Sequence, residues 1–164
     1  MAEAGNTSEG KRNIMIAMDG SKHAVFAFEC FVENIYREGD NVIMAHCAEH
    51  SINLPATMLK ADSAAELESL MKQHEEKLSK TFQFIDDLAN KHKIKHTLEC
   101  LNGSPGESLV KAAEQQNVDL IIVGSRGHGT IRRTVMGCTS DYVVHHSRVP
   151  VMVCKHEDEH HKLK

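Results

Sequence analysis

Apolar and polar residues follow two different periods along this chain. Short apolar runs rich in β-branched residues predict buried strands, and they occupy residues 13–18, 41–47, 93–101, 118–123 and 149–154. Apolar residues at helical spacing mark most of the intervening segments, and the predicted helices are 21–36, 63–91, about 105–116 and 139–147. Strands that alternate with helices predict a parallel sheet covered on both faces, with right-handed crossovers.

Three of these elements have apolar faces that we expect to be buried. The first helix repeats apolar residues at Ala24, Phe28, Phe31 and Ile35. The long second helix carries a stripe made of Leu67, Leu70, Met71, Leu78, Phe82, Ile85 and Leu88. The third strand alternates, which places one set of side chains together on a single face, namely Ile94, His96, Leu98 and Cys100.

Two turns that follow strands carry the polar chemistry. Asp19-Gly20-Ser21 ends the first strand, and Ser21 is placed to cap the helix that follows. The fourth strand runs directly into a segment rich in glycine, residues 124–140. Parallel sheets bind ligands at the carboxyl ends of their strands, where the strand order reverses. If the first and fourth strands are neighbours, Asp19 and the glycine segment face one crevice.

The glycine segment has the chemistry of an anion site. Its glycines, Gly124, Gly127 and Gly137, let the backbone approach a phosphate where a Cβ would collide. The helix start that follows carries a partial positive charge and unpaired N–H groups. Arginines at 126, 132 and 133 add donors that suit phosphate oxygens. An isolated glycine loop would serve equally well as a simple turn.

Three motifs together resemble those of the universal stress protein family, across residues 12–155. They are Met18-Asp19-Gly20-Ser21, Gly103-Ser104-Pro105, and the Gly-x2-Gly-x9-Gly spacing that begins at Gly124. The resemblance implies a three-layer, doubly wound, Rossmann-like α/β fold with a five-stranded parallel sheet in the order 3-2-1-4-5. It also implies binding of ATP, or of AMP or ADP, and a homodimer that pairs through the last strand, Val149–Cys154.

The same resemblance implies a set of nucleotide-binding residues. Asp19 would accept a ribose hydroxyl or help to hold Mg²⁺ near the phosphates, unless it serves only as a turn and cap residue. Cys47 would present its backbone to the adenine, although its side chain suits the core. The full set is Ala17, Asp19, Cys47, Val123, Gly124, Arg126, Gly127, His128, Gly137, Cys138, Thr139 and Ser140. Cys138 departs from the family pattern, which has Ser or Thr there.

Composition excludes several other classes of protein. The 164 residues carry a net charge of -4 and only 4% aromatic residues, which argues against a general binder of nucleic acids or anionic membranes. No apolar run approaches the roughly 20 residues needed to span a bilayer. The polar N-terminus lacks a secretory signal. The five cysteines are odd in number and widely spaced, with no CxxC pair. This pattern indicates reduced thiols, most of them in the core, so we expect a cytoplasmic protein.

These observations predict one domain, residues 12–155, between a disordered arm (1–11) and a flexible tail (156–164). The first functional hypothesis is a stress-response protein that binds ATP or another adenine nucleotide as a ligand or switch, with little intrinsic catalysis. One alternative is a dimeric interaction module that needs no nucleotide. Another is a slow ATPase, although the chain lacks both a P-loop and a nucleophile elbow.

Overall fold

The computed structural model describes residues 11–48, 64–125 and 137–155. Strands and helices alternate strictly within that part of the chain, as the sequence predicts. The elements are β1 (Asn13–Ala17), α1 (Lys22–Asn34), β2 (Asn41–Ala48), α2 (Ala64–Lys91), β3 (His96–Asn102), α3 (Pro105–Gln115), β4 (Leu120–Gly124), α4 (Cys138–His146) and β5 (Val151–Cys154).

The strands form one parallel sheet in the order β3-β2-β1-β4-β5. β1 is the central strand. It pairs with β2 from Asn13↔Asn41 to Ala17↔Ala45, and with β4 from Ile14↔Leu120 onward. The order therefore reverses between β1 and β4. The predicted fold class and the strand order implied by the family resemblance are both confirmed.

Two apolar clusters lie on opposite faces of the sheet, which gives the fold three layers. Alternate residues of β1 enter different clusters, Ile14 and Ile16 one and Met15 the other, because successive strand residues point to opposite faces. The first cluster includes Phe28, Phe31, Ile85 and Ala89 of α1 and α2. The second includes Leu109, Ala112 and Val143 of α3 and α4.

The start of α1 is formed as predicted. The Ser21 hydroxyl accepts a hydrogen bond from the Ala24 N–H at 3.2 Å, which caps the helix. Gly20 has a positive φ of 78°, a conformation that glycine adopts without steric cost. The helix ends at Asn34, two residues before the predicted end at Tyr36. Its face is buried at Ala24, Phe28 and Phe31, whereas Ile35 is partly buried.

The apolar stripe predicted for α2 is buried only toward its C-terminal end. Ile85 is fully buried, whereas Leu67 and Met71 are 36% and 55% exposed. Helix length explains the difference, because 28 residues span about 42 Å. The eight-residue strand β2 spans only about 26 Å, so α2 is far longer than the sheet it covers.

The prediction of which face of β3 is buried is wrong in part. Ile94 is buried, but Leu98 is 37% exposed and Cys100 is exposed. Leu101, on the opposite face, is buried instead. β3 is an edge strand, so it is covered less completely than the central strands. It also begins at His96 rather than at residue 93, because Lys93 has a positive φ of 56°.

The cysteines are less buried than expected. All five are free, and only Cys154 is buried. Cys100 lies on the edge strand β3 and Cys138 is the first residue of α4, so both are exposed. Burial raises the pKa of the Cys154 thiol to about 11, and the neighbouring Cys30 thiol adds to that shift. Three of the five, Cys30, Cys47 and Cys154, still lie in the two apolar clusters or pack against them, so the prediction that most of the cysteines lie in the core is confirmed in part.

An ion pair ties the beginning of β1 to the beginning of β2. The Arg12 guanidinium donates to both carboxylate oxygens of Asp40, at 2.9 and 2.6 Å, and the Arg37 N–H donates to the same carboxylate at 2.9 Å. Burial opposes ionisation of Asp40, but the hydrogen bonds from Arg12 and Arg37 outweigh it and lower the pKa of the carboxyl. In the described ranges, no helix has the length and apolarity needed to cross a membrane.

Candidate functional site

The reversal of strand order between β1 and β4 marks the carboxyl edge of the sheet as the candidate site. The chain leaving β1 turns into α1, which packs on the first apolar cluster. The chain leaving β4 leads to α4, which packs on the second cluster, across the sheet. The two connections therefore diverge between β1 and β4, and in open α/β sheets this divergence forms the ligand crevice.

The end of β1 is held in a defined turn. Met18 N–H donates to the Ala45 carbonyl at 2.8 Å, which extends the pairing with β2 by one bond. The next residue, Asp19, accepts a hydrogen bond from the Ser21 N–H at 2.9 Å through Oδ1. The turn role considered for Asp19 is therefore present.

Gly124 is required by the packing of α1 against β4. A Cβ on this residue would lie 2.7 Å from the His23 carbonyl oxygen and 2.8 Å from its carbonyl carbon. The first turn of α1 thus approaches β4 at a distance that only glycine allows. This contact fixes the spacing between the Asp19 turn and the beginning of the glycine segment.

The two ends of the glycine segment are joined by hydrogen bonds. Ser125 N–H donates to the Cys154 carbonyl at 2.9 Å, and Gly137 N–H donates to the Ser125 carbonyl at 2.8 Å. The buried Ser140 hydroxyl is 2.9 Å from the Gly137 carbonyl and 3.4 Å from that of Ser125. These bonds set the start of α4 beside the end of β4. The predicted residues Arg126, Gly127 and His128 lie outside the described part of the chain.

The first turn of α4 supplies donors at this edge. Gly137 occupies the N-cap position without a side-chain capping bond, and the N–H groups of the first helical turn have no intrahelical acceptor. Cys138 is exposed and Thr139 half-buried. The Ser140 hydroxyl faces backbone carbonyls that can only accept, so its proton is engaged there. At Ser140 the backbone N–H, rather than the hydroxyl, is therefore the group that can donate to a ligand.

Three other predicted residues line the same edge on the side of α3 and α4. Ala17, Cys47 and Val123 all belong to the second cluster or pack against it, and they lie at or near the ends of the adjacent strands β1, β2 and β4. The Cys47 thiol donates to the Gly103 carbonyl at 3.3 Å. The Cys47 side chain therefore packs against the second cluster, in agreement with the expectation that it suits the core.

His46 contacts this site but is absent from the sequence-based set. Its Nδ1 lies 2.7 Å from the Met18 carbonyl oxygen, directly before Asp19. The sequence does contain a signal for it, because His46 is a polar, ionisable residue that directly follows the apolar run Val42–Ala45. Among the residues with described positions, no group of three or more His, Cys, Asp or Glu side chains could hold a metal ion.

A five-stranded parallel sheet that is covered on both faces and reverses its strand order between β1 and β4 defines the class of doubly wound α/β folds. The model of the universal stress protein family matches residues 11–155, so the chain belongs to that family. It is 28% identical over 169 residues to universal stress protein PHOS34 of Arabidopsis thaliana, and spans 65% of that relative's length. It is also 28% identical to universal stress protein MJ0531 of Methanocaldococcus jannaschii, with 85% of this chain and 75% of that one covered.

Solved structures share the fold. The M. jannaschii protein MJ0577 superposes with a TM-score of 0.65 at 24% identity, covering 90% of this chain and 97% of that one. A universal stress protein family protein from A. thaliana, solved with AMP bound, gives 0.62 at 19% identity, covering 89% and 92%. A universal stress protein in complex with cAMP gives 0.61 at 18% identity, covering 87% and 96%.

Proposed function

We propose that this chain binds an adenine nucleotide, with ATP as the first candidate, in the crevice between β1 and β4. The nucleotide serves as a ligand or switch in a stress response, and the chain itself does little catalysis. One observation carries the proposal. The Asp19 turn and the first turn of α4 are both built at the carboxyl edge, and backbone hydrogen bonds and the Gly124 contact fix the positions of both.

The two turns offer complementary charges. The N-terminus of α4 is the positive end of a helix dipole, and its N–H groups suit phosphate oxygens. The Asp19 carboxylate suits a ribose hydroxyl, or a Mg²⁺ ion shared with the phosphates. Arg126, Gly127 and His128 belong to the segment between the two turns and would complete the phosphate contacts. Relatives that share the fold have been solved with AMP and with cAMP, which supports an adenine ligand.

Calorimetry with Mg²⁺-ATP tests the proposal, because Asp19 offers a matched pair of substitutions. Asp19→Asn keeps an oxygen that accepts the Ser21 N–H, so it retains the turn and removes only the charge. Asp19→Ala removes both. We expect wild type to bind, and Asp19→Asn to bind about tenfold or more weakly, since a hydrogen bond to a charged group contributes about 1.5–3 kcal/mol.

Thermal unfolding provides the control for this experiment. Asp19→Asn should unfold close to the wild-type temperature, whereas Asp19→Ala should also lose part of the stability that the turn supplies. Wild-type protein that gives no binding heat, and no rise in unfolding temperature in millimolar Mg²⁺-ATP, would contradict the proposal. That result would favour an interaction module that needs no nucleotide.

We also propose a homodimer that forms through the edge strand, Val149–Cys154. β5 pairs with β4 on one side only. The Pro150 carbonyl accepts a hydrogen bond from the Ile121 N–H of β4, and the Cys154 carbonyl accepts one from the Ser125 N–H directly after β4. Because backbone groups alternate in direction along a strand, those of Val151 and Val153 face away from β4 and can pair with a second copy of the chain. Val153→Pro removes one outward donor. Sedimentation should show a dimer that Val153→Pro weakens, and a wild-type monomer at every concentration would contradict this proposal.

A further inference from the structure

The half-buried ring of His46 lies directly behind the Asp19 turn. Its Nδ1 is 2.7 Å from the Met18 carbonyl oxygen. A carbonyl can only accept, so Nδ1 carries the proton and donates. The ring packs edge-on against Phe82 of α2, with centroids 5.6 Å apart and an interplanar angle of 83°. His46 is therefore held on both sides, by the backbone directly after β1 and by a neighbouring aromatic ring.

This bond completes the fixation of Met18 by β2. The Met18 N–H already donates to the Ala45 carbonyl at 2.8 Å, one residue beyond the last ladder pair, Ala17↔Ala45. With the His46 bond, both polar backbone groups of Met18 are held from β2. The Met18 carbonyl belongs to the peptide plane that contains the Asp19 nitrogen, so the orientation of that plane sets where the Asp19 side chain begins.

We propose that His46 is a positioning residue for the candidate site. By donating to the Met18 carbonyl it fixes the peptide before Asp19, and thereby the carboxylate that closes the turn onto the Ser21 N–H. The consequence for nucleotide affinity rests on the function proposed above. The positioning itself does not, since it concerns only contacts within the chain.

The chain contains a matched control for this role. His96 lies on the neighbouring strand β3, on the same face of the sheet as His46, because His46 pairs with Cys100 and side chains alternate. It is also half-buried, with Nδ1 2.9 Å from the Ile94 carbonyl oxygen and Nε2 3.1 Å from Asp86. However, His96 begins its strand and so lies at the amino edge of the sheet, away from the Asp19 turn.

Hydrogen exchange at the Ser21 amide measures directly how well the Asp19 turn is formed, because this N–H donates to the Asp19 carboxylate. We expect His46→Leu to raise the Ser21 exchange rate about tenfold, the effect of losing one hydrogen bond. His46→Asn should restore protection, because its amide nitrogen sits where Nδ1 was, whereas His46→Gln carries its donor one bond farther out and should not. His96→Leu should leave Ser21 protection at the wild-type level after correction for any change in global stability.

Calorimetry with Mg²⁺-ATP on the same variants measures the consequence for nucleotide affinity. We expect affinity to fall about tenfold in His46→Leu, to recover in His46→Asn, and to stay unchanged in His96→Leu. Equal Ser21 exchange in His46→Leu and His96→Leu, or no recovery in His46→Asn, would overturn the positioning role. Should His46→Leu fail to fold, the contrast between His46→Asn and His46→Gln decides in its place. A wild type that binds no nucleotide would refute the proposed function, while Ser21 exchange would still decide the role of His46.

Discussion

Gly124→Ala tests whether the crevice depends on the close contact between β4 and α1. The added methyl group would lie 2.7 Å from the His23 carbonyl oxygen and 2.8 Å from the carbonyl carbon. Both neighbours are backbone atoms, which no rotamer change can move. To reach ordinary contact at 3.4 Å, the first turn of α1 must move away from β4 by roughly 0.6–0.7 Å.

The cost follows from this displacement. Overpacking a tight contact costs about 1–3 kcal/mol. Replacing a glycine that has an ordinary backbone conformation returns about 0.4–1 kcal/mol by restricting the unfolded chain. Taking the middle of each range, a cost of about 2 kcal/mol and a return of about 0.7 kcal/mol, we expect a net loss of about 1–2 kcal/mol. For a domain of this size, that loss lowers the unfolding temperature by about 2–8 °C.

Nucleotide affinity separates this effect from general destabilisation. The first turn of α1 directly follows the Asp19 turn, so displacing it also displaces Asp19. Gly124→Ala should therefore weaken Mg²⁺-ATP binding as well as lower the unfolding temperature. Gly39→Ala is the matched control. Gly39 has a φ of 98°, and a Cβ added to it would meet no atom within 4 Å, so alanine there costs about 1–2 kcal/mol of backbone strain without moving the crevice.

Calorimetry and thermal unfolding on both variants give the result. The reasoning requires Gly39→Ala to lose stability and keep wild-type affinity, and Gly124→Ala to lose both. Gly124→Ala protein with wild-type stability would refute the packing argument. Equal affinities in the two variants would refute the link between α1 and the candidate site.

Three further predictions concern the Asp40 carboxylate and the cysteines. Asp40→Asn should lower the free energy of unfolding by about 2 kcal/mol at pH 7. Because folding lowers the Asp40 pKa, this advantage of the wild type is complete above about pH 4 and is lost as the pH falls through the pKa of Asp40 in the folded protein. Urea unfolding of both proteins at several pH values measures it. In native protein at pH 8, iodoacetamide should label Cys100 and Cys138 first and spare Cys154, whose pKa is raised to about 11, and mass spectrometry would contradict this by finding Cys154 labelled with them. Cys138→Ser should strengthen Mg²⁺-ATP binding, since a hydroxyl donates more strongly than a thiol, and calorimetry that shows unchanged or weaker binding would reject that role.

The sequence predicts the fold well because the central strands have unambiguous patterns. β1 and β4 are buried on both faces, and such strands read as continuous apolar runs. The Ser21 cap was equally predictable, since it depends on neighbours three residues away. The strand order, in contrast, came from the family resemblance, because local patterns do not say which strands pair.

The errors arise where burial depends on distant parts of the chain. The apolar face of α2 continues past the sheet it covers, and helical periodicity carries no information on the extent of the partner surface. Leu98 and Cys100 alternate correctly but lie on an edge strand. Both the packing role of Gly124 and the contact of His46 with Met18 join elements far apart in sequence, so neither leaves a local pattern.

Mapping Mg²⁺-ATP onto the backbone amides by NMR titration tests the central claim most directly. The account predicts that shift changes concentrate at residues 17–21, at 124–125 and at 137–140, which come from three separate parts of the sequence and meet at one edge of the sheet. Amides around Arg148 and Asn117, at the opposite edge, should not move. Saturable changes centred on that opposite edge, or no changes at all, would contradict the account.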